Sequence, residues 1–545
     1  MFPWTKKQIL NLTGRRFGKN PMDLPDAYHC RERLDKIRIL HDAFYAEDEG
    51  NVYAVDDVTW TDLEMDEVFL RINQTGSYIG EQVLYHTLRS GNEAFFRENA
   101  QMMQVLSEDE RARHELFFRL YPIGKRQANY YLPQFFANAC LLRTGHNWVF
   151  RLLQAALVLT ILMAAFFRTV PFYALLTINV AVNFIVYMLM KMKFDVLLSS
   201  FSGIGQVLEL YEWSAGQKEI PLPVSGHMKE YAGRLKKIWK KIGFLVYTKQ
   251  AGMTGDVMGL LFDYLLGITL IDVGRIDGIL RLIDENREAV LEAFTFVGKL
   301  DAALSIISFW KSLTHWTVPA FSEVGEITAC EMYHLLIKDP VSNDFALQDR
   351  AILTGANASG KSTFMKSLAV NAILAQTIDT ACCTYFSLPF LKVMTSMAIR
   401  DDVVSGESYY VREVRYLKRM LDEIARGTMT LCVIDEILKG TNQAERLAAS
   451  ESVLKYMARF QGYCMIATHD MELVEKLREL YKPYYFESHV TQNNVTFDYK
   501  IHPGRGGESN ALALLQAFGF PGEIIQDANR LVFGGGYDAP ADNSK

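Results

Sequence analysis

The sequence has few cysteines and no strong charge of either sign. Its 545 residues include 7 cysteines, without C-x-x-C or paired-histidine spacing, which excludes a small disulfide framework. Lys plus Arg total 57 against 63 Asp plus Glu, a formal net charge of −6, so nothing global indicates nucleic-acid binding. The apolar run near the N-terminus is too short for a secretory signal. We therefore expect reduced thiols in the cytoplasm and basic surface only locally.

Apolar residues are abundant. Half of the sequence is hydrophobic and 22% is charged, a balance that supports buried cores and excludes a largely disordered chain. The length exceeds that of a usual single domain several-fold, so several cooperating units are expected.

Two long apolar runs, at 149–167 and 170–190, are the strongest local deviation. Each approaches the roughly 20 residues of a membrane-spanning helix. Arg143 precedes the runs, Arg151 lies near the start of the first run, and Lys191 and Lys193 follow the second, against only Arg168 between them. The positive-inside bias therefore predicts a membrane hairpin over 146–193 with cytoplasmic flanks, in a multi-pass protein of the inner (plasma) membrane. The alternative is a buried helical hairpin in a soluble core.

The remaining segments before residue 326 read as helical. We predict an N-terminal helical region over 1–145 and a helical core and lever over 194–325, with one long helix from Ile276 to Trp310. Basic residues alternate with apolar residues at helical spacing from Lys229 to Ile242, and this pattern predicts a basic amphipathic helix. Its cations could meet phosphates of lipid or nucleic acid, or form a solvated face.

A glycine-rich segment after an apolar strand, predicted over 351–353, carries the sharpest chemical signal. It fits G-x-x-x-x-G-K-[ST], the loop whose backbone N–H groups cradle phosphates at a helix N-terminus. Lys361 would reach the outer phosphates, and Ser362 would bind Mg²⁺. The predicted nucleotide-binding residues are Gly355, Ala356, Asn357, Ala358, Ser359, Gly360, Lys361, Ser362 and Thr363.

Two further strands end in residues suited to the same ligand. The apolar run 431–434 leads into Asp435 and Glu436; Asp435 would hold Mg²⁺, and Glu436 would orient and deprotonate the attacking water. The strand predicted over 464–468 precedes His469, which would sense or polarise the γ-phosphate. We therefore predict an ATPase that uses ATP and Mg²⁺.

Four ordered segments resemble the ATPase domain of the MutS mismatch-repair family, a branch of the ABC-type ATPases. TGANASGKSTFMKSLA resembles its phosphate loop, SGESYYVREV its signature segment, VIDEILKGTN its Walker B strand and following loop, and IATHD its histidine loop. The resemblance implies an α/β P-loop ATPase domain over 326–535, followed by a tail over 536–545. An all-α core and lever region containing the hairpin would precede it.

The resemblance also implies partners. In the family two ATPase domains pair, so Ser408 would contact the γ-phosphate held by Lys361 of a second copy, and a homodimer is expected. DNA is an expected partner, but recognition of mismatched bases is not expected. The family's mismatch-binding domain carries a Phe-x-Glu wedge, whereas Phe44 is followed here by Tyr45 and Ala46. We therefore expect the N-terminal mismatch-binding domain to be absent.

Two other classes remain open. Half of an ABC-type exporter would also join a membrane segment to such an ATPase, although two spans and the signature SGESYY fit it poorly. A membrane scaffold could use nucleotide only as a conformational latch. Stimulation of ATP hydrolysis by duplex DNA, by a transported substrate or by neither would distinguish the three.

Overall fold

The computed structural model describes residues 16–24, 26–44, 51–138, 147–252, 267–323, 325–356, 358–397, 409–491, 494–506, 515 and 519–533. The chain divides into two compact units. The first unit comprises Met1–Gly50, Phe69–Thr87 and Phe95–Ser312, and the second comprises Asn51–Val68, Leu88–Ala94 and Leu313–Lys545. The second unit thus takes two short segments from the N-terminal region as well as the C-terminal part.

Helices form all of the regular structure before residue 320 in the described part of the chain. Two short 3₁₀ helices lie at Pro21–Asp23 and Gln127–Tyr131. The α-helices are α1 (Asp26–Glu32), α2 (Leu34–Ile37), α3 (Ile39–Phe44), α4 (Asp57–Asp62), α5 (Met65–Ile72), α6 (Tyr78–Ser90), α7 (Phe95–Glu98), α8 (Ala100–Glu108), α9 (Glu110–Leu120), α10 (Leu132–Ala137), α11 (Asn147–Phe167), α12 (Val170–Gly216), α13 (Met228–Gly252), α14 (Ile271–Glu285) and α15 (Arg287–Lys311).

The two apolar runs form α11 and the first half of α12. Arg168 has a positive φ of 51°, and Pro171 lies in the first turn of α12, where its missing N–H costs no hydrogen bond. Within the spans Trp148–Phe167 and Val170–Met190, only 22% and 11% of the residues are buried. The outward faces of both helices are therefore largely apolar and exposed.

Polar groups of this hairpin point inward. The side-chain amide of Gln154 donates to the carbonyl of Thr269 at 3.0 Å, and that of Asn183 donates to the carbonyl of Ile268 at 2.9 Å. Leu270 packs against Phe150 beside them. The interior of the hairpin thus combines apolar packing with hydrogen-bonded amides.

The long helix predicted from Ile276 to Trp310 is wrong in one respect, because the structure has two helices there. The helix is interrupted at Asn286, whose φ of −124° and ψ of 30° lie outside the helical region. Its side chain donates to the carbonyl of Leu282 at 2.9 Å, competing with the helix backbone as asparagine commonly does. The following helix, α15, is buried along most of its length.

The second unit contains two sheets. The strands are β1 (Ala320–Phe321), β2 (Ile327–Met332), β3 (Asn343–Leu347), β4 (Arg350–Gly355), β5 (Tyr385–Leu388), β6 (Lys392–Ser396), β7 (Thr430–Asp435), β8 (Tyr463–Ala467), β9 (Lys482–Thr491) and β10 (Asn494–Pro503). Its later helices are α16 (Lys361–Ile378), α17 (Tyr409–Ala425), α18 (Gln443–Met457), α19 (Met471–Leu477) and α20 (Gly522–Phe533).

The larger sheet has the order β10-β9-β4-β8-β7-β6. Pairing is parallel from β9 to β6, and β10 alone is antiparallel to its neighbour. The apolar strands β4, β7 and β8 are buried in its centre, as expected for a parallel sheet covered on both faces. Because parallel strands share a direction, their carboxyl ends meet at one edge.

Candidate active site

The loop between β4 and α16 turns sharply around its glycines. Gly355 and Gly360 have φ values of 143° and 104°, and Ala358 is also left-handed at 66°. A side chain at Gly360 would meet Tyr499 at 3.2 Å. The loop conformation therefore requires glycine at these two points, and it delivers the chain directly into the N-terminus of α16.

Lys361, the first residue of α16, folds back over this loop. Its ammonium donates to the carbonyls of Gly355 at 2.7 Å and Ala356 at 2.9 Å. Burial lowers the pKa of Lys361, while the nearby carboxylates of Asp435 and Glu436 act in the opposite direction. A buried cation at a helix N-terminus creates a strongly positive point beside the loop.

Ser362 and Asp435 bring two oxygens together across the gap between α16 and β7. The Ser362 hydroxyl donates to Asp435 Oδ2 at 2.5 Å. A hydroxyl and a carboxylate are hard oxygen donors of the kind that Mg²⁺ prefers, and such a site usually leaves further positions to water and phosphate. The donor set therefore fits a magnesium ion.

Glu436, directly after β7, lies between the side chains of Lys439 and His469. Its carboxylate is 3.1 Å from His469 Nε2 and 3.1 Å from Lys439 Nζ. The hydrogen bond from His469, with those of Lys439, lowers the pKa of Glu436 to about 2 despite partial burial. The φ of Glu436 is 57°, a left-handed value that is uncommon for residues other than glycine.

These groups line one cavity of about 640 Å³, within the range of small-molecule sites. Of the predicted residues, those that line it are Ala358, Ser359, Gly360, Lys361, Ser362, Thr363, Asp435, Glu436 and His469. Gly355 and Ala356 contribute carbonyls that accept from Lys361. Asn357 and Ser408 lie outside the described residues.

The buried Ser359 hydroxyl gives a second sign that the loop is built for a polar ligand. Ser359 is 1% exposed, and its oxygen has no hydrogen-bond partner within the described part of the chain. Buried polar groups are rarely left unsatisfied. A phosphate in the loop would provide an acceptor for this hydroxyl.

Tyr499 is a cavity residue that the sequence analysis missed. It lies at a register shift of β10 between Phe497 and Ile501, has a φ of 55° and is half exposed. The Asn343 side chain fixes this bulge, since it donates to the Tyr499 carbonyl at 3.0 Å and accepts from the Ile501 N–H at 2.8 Å. An exposed aromatic ring is thereby held over the glycine-rich loop.

The site belongs to a mixed α/β unit that follows a helical region, the layout found in MutS proteins. Residues 351–533 match the protein family described as MutS domain V. This match begins at the strand before the glycine-rich loop and ends in α20. It thus includes the loop, both acidic residues and His469.

Curated relatives carry the same family name. The chain is 28% identical over 256 residues to the DNA mismatch repair protein MutS of Pseudothermotoga lettingae, covering 45% of this chain and 31% of that protein. It is 30% identical over 193 residues to MutS of Natronomonas pharaonis, covering 35% and 22%. For MutS 2 of Haloarcula marismortui the identity is 29% over 198 residues, covering 36% and 21%. The similarity therefore spans under a third of each of these relatives.

Proposed function

We propose that this protein is a MutS-like ATPase, a membrane-tethered homodimer in which ATP-driven closure is coupled to DNA binding. The main observation that supports this proposal is a single cavity lined by Lys361, Ser362, Asp435, Glu436 and His469. They come from a helix N-terminus and two neighbouring strand ends. This convergence is what a nucleoside triphosphate site requires.

Each residue has a distinct task in the proposed hydrolysis. Lys361 and the loop N–H groups bind the phosphates, and Ser362 and Asp435 would hold Mg²⁺, which neutralises phosphate charge when bound. Glu436 orients the attacking water and accepts its proton. His469 holds the Glu436 carboxylate in place from the end of the neighbouring strand.

Pairing of two copies completes the proposed site. Ser408 of one copy would donate to the γ-phosphate bound by the other, which stabilises the charge that develops during phosphoryl transfer. Hydrolysis then depends on the closed dimer, and product release opens it. The movement that accompanies closure would be transmitted to the helical region through α15, which ends at Lys311, just before the second unit begins in the sequence.

The membrane tether is supported by the exposure of α11 and α12. A core helix of a soluble protein is mostly buried, whereas these two spans leave large apolar side chains such as Phe166 and Ile178 exposed. The inward amides of Gln154 and Asn183 satisfy backbone carbonyls, as polar groups within lipid must. Both observations favour membrane insertion over the buried-hairpin alternative.

DNA as the partner is proposed from the relatives' names together with a local basic face. On α13, Lys237, Lys240 and Lys241 are exposed, while Leu235 and Ile238 on the other face are buried. Lys236 pairs with Glu212, whereas these three lysines have no ion-pair partner among the residues that the structure describes and could meet phosphates. Such contacts must weaken as salt rises.

One preparation tests these proposals. The full chain is extracted from membranes with detergent, and ATP hydrolysis is measured alone, with duplex DNA and, in liposomes, with candidate transported substrates. We expect duplex stimulation that declines with salt. No hydrolysis in any condition would contradict the ATPase, stimulation only by a transported substrate would favour an exporter, and a basal rate unaffected by DNA would favour the nucleotide-latched scaffold. Recovery of the chain in the soluble fraction without detergent would contradict the tether.

A further inference from the structure

Glu413 is a buried acid outside the predicted set of site residues. It lies on α17 in line with Leu417, Met420 and Ile424, which face the apolar core of the second unit. Glu413 is only 1% exposed, and burial raises its pKa above the ordinary value. A carboxylate at a position where the pattern calls for an apolar residue needs a specific partner.

That partner is the backbone of the loop after Glu436. The N–H of Lys439 donates to Glu413 Oε1 at 3.1 Å, and the N–H groups of Leu438 and Gly440 also act to lower the pKa of this carboxylate. The hydrogen bond from Lys439 therefore joins this carboxylate to the loop, and the neighbouring N–H groups favour its negative charge. The other carboxylate oxygen, Oε2, has no hydrogen-bond partner within the described part of the chain. Because Glu413 belongs to α17, the helix is tied to the loop.

The loop that Glu413 holds is conformationally constrained. Glu436 and Leu438 both have a φ of 57°, a left-handed value that bulky residues adopt only when their surroundings enforce it. At Gly440, a side chain would come within 2.8 Å of Tyr410 Cβ in the first turn of α17. The start of α17 and this loop are thus in close contact at two points.

We infer that Glu413 is a positioning residue: it links the start of α17 to the backbone of Leu438–Gly440, and through Lys439 it sets the position of the Glu436 carboxylate. This inference rests on the proposed ATPase function. The start of α17 directly follows Ser408, the residue proposed to reach the second copy. Glu413 therefore gives pairing of two copies a route to the water-orienting acid of the same chain.

The test compares three full-length variants with the parent. Glu413→Met removes the acceptor at similar volume, and Glu413→Gln keeps one acceptor oxygen. Glu423→Gln is the matched control, because Glu423 lies on the same helix but pairs with Lys392 at 3.2 Å, away from the loop. Thermal melting first establishes that each variant folds.

The first readout is amide hydrogen exchange at Leu438–Gly440, which needs no enzymatic activity. We expect exchange there to accelerate about tenfold or more in Glu413→Met, because the acceptor is lost, and to stay unchanged in Glu423→Gln. Unchanged exchange in Glu413→Met would overturn the inference. A parent chain without ATP hydrolysis would instead contradict the proposed function, and the exchange result would still decide whether Glu413 holds the loop.

The second readout is the split between kcat and KM for ATP. In Glu413→Met we expect kcat to fall about 10- to 100-fold, the cost of a small misplacement of a catalytic group, with KM nearly constant. Glu413→Gln, which keeps one acceptor oxygen for the Lys439 N–H, should retain most of kcat. An equal loss of kcat in Glu413→Met and Glu413→Gln would refute a positioning role through this hydrogen bond.

Discussion

Replacing Glu436 by Gln tests the proposed chemistry most directly. The change keeps the size of the side chain and removes the charge that pairs with His469 and Lys439, both at 3.1 Å. Nucleotide binding should change little, because Lys361 and the loop are untouched. Turnover should fall, because the attacking water loses the carboxylate that orients it and takes its proton.

The magnitude follows from the environment of the acid. General-base catalysis contributes about 10²–10⁴-fold, or about 3–5 kcal/mol of barrier. A pKa of about 2 makes Glu436 a weak proton acceptor in this state, so much of its effect comes from orienting water. We therefore expect the lower part of that range, about 10²- to 10³-fold.

The assay is phosphate release by the detergent-extracted chain, with a fluorescent ATP analogue to measure affinity. Glu472→Gln serves as the control, since Glu472 is exposed on α19, where it pairs with Lys476. A Glu436→Gln variant that keeps more than about a tenth of the parental rate would refute the base assignment. Loss of affinity in parallel with rate would point to a damaged pocket instead.

Three further predictions concern the proposed nucleotide site. Lys361→Met should abolish detectable ATP binding in the fluorescence assay, because its ammonium is the buried cation of the loop; retained affinity would contradict its phosphate role. Ser408→Ala should lower kcat while leaving ATP affinity nearly intact, and an equal loss of both would argue against a role in trans. The pKa of Glu436 is lowered from 4.5 to about 2, so its ionic contacts stabilise the fold fully above about pH 4.5 and lose that effect as pH falls toward 2. Denaturation of the parent and of Glu436→Gln should therefore differ most near neutral pH and converge in acid; a constant difference would contradict the ion pairs.

The sequence predicted the strand ends well because their signals are local. An apolar run followed at once by Asp435 and Glu436, and a largely apolar run that ends in Thr468 and His469, mark buried parallel strands and the edge where they end. The glycine-rich pattern likewise fixes a loop between a strand and a helix. Each of these predictions needed only a short window of residues.

Other site features depend on contacts between distant segments. Tyr499 reaches the cavity because β10 shifts register and Asn343 holds the bulge, and no local pattern announces either. In the sequence, Glu413 cannot be distinguished from a solvent-exposed glutamate on a helix, because its burial depends on the packing of α17 against the loop. The break at Asn286 was missed because apolar spacing continues across it, while the asparagine side chain captures a backbone carbonyl.

The uninterrupted course of α12 has a mechanical consequence. From Met190 to Gly216 the helix continues for 26 residues past its apolar half, a rod of about 39 Å at 1.5 Å per residue. In the proposed arrangement one end of this rod is embedded in lipid and the other is fixed among helices. A tilt of only about 10° would sweep the far end through about 7 Å, given that length. Rearrangement of the helical region would then be felt in the bilayer, and lateral pressure in the bilayer could act back on the helices.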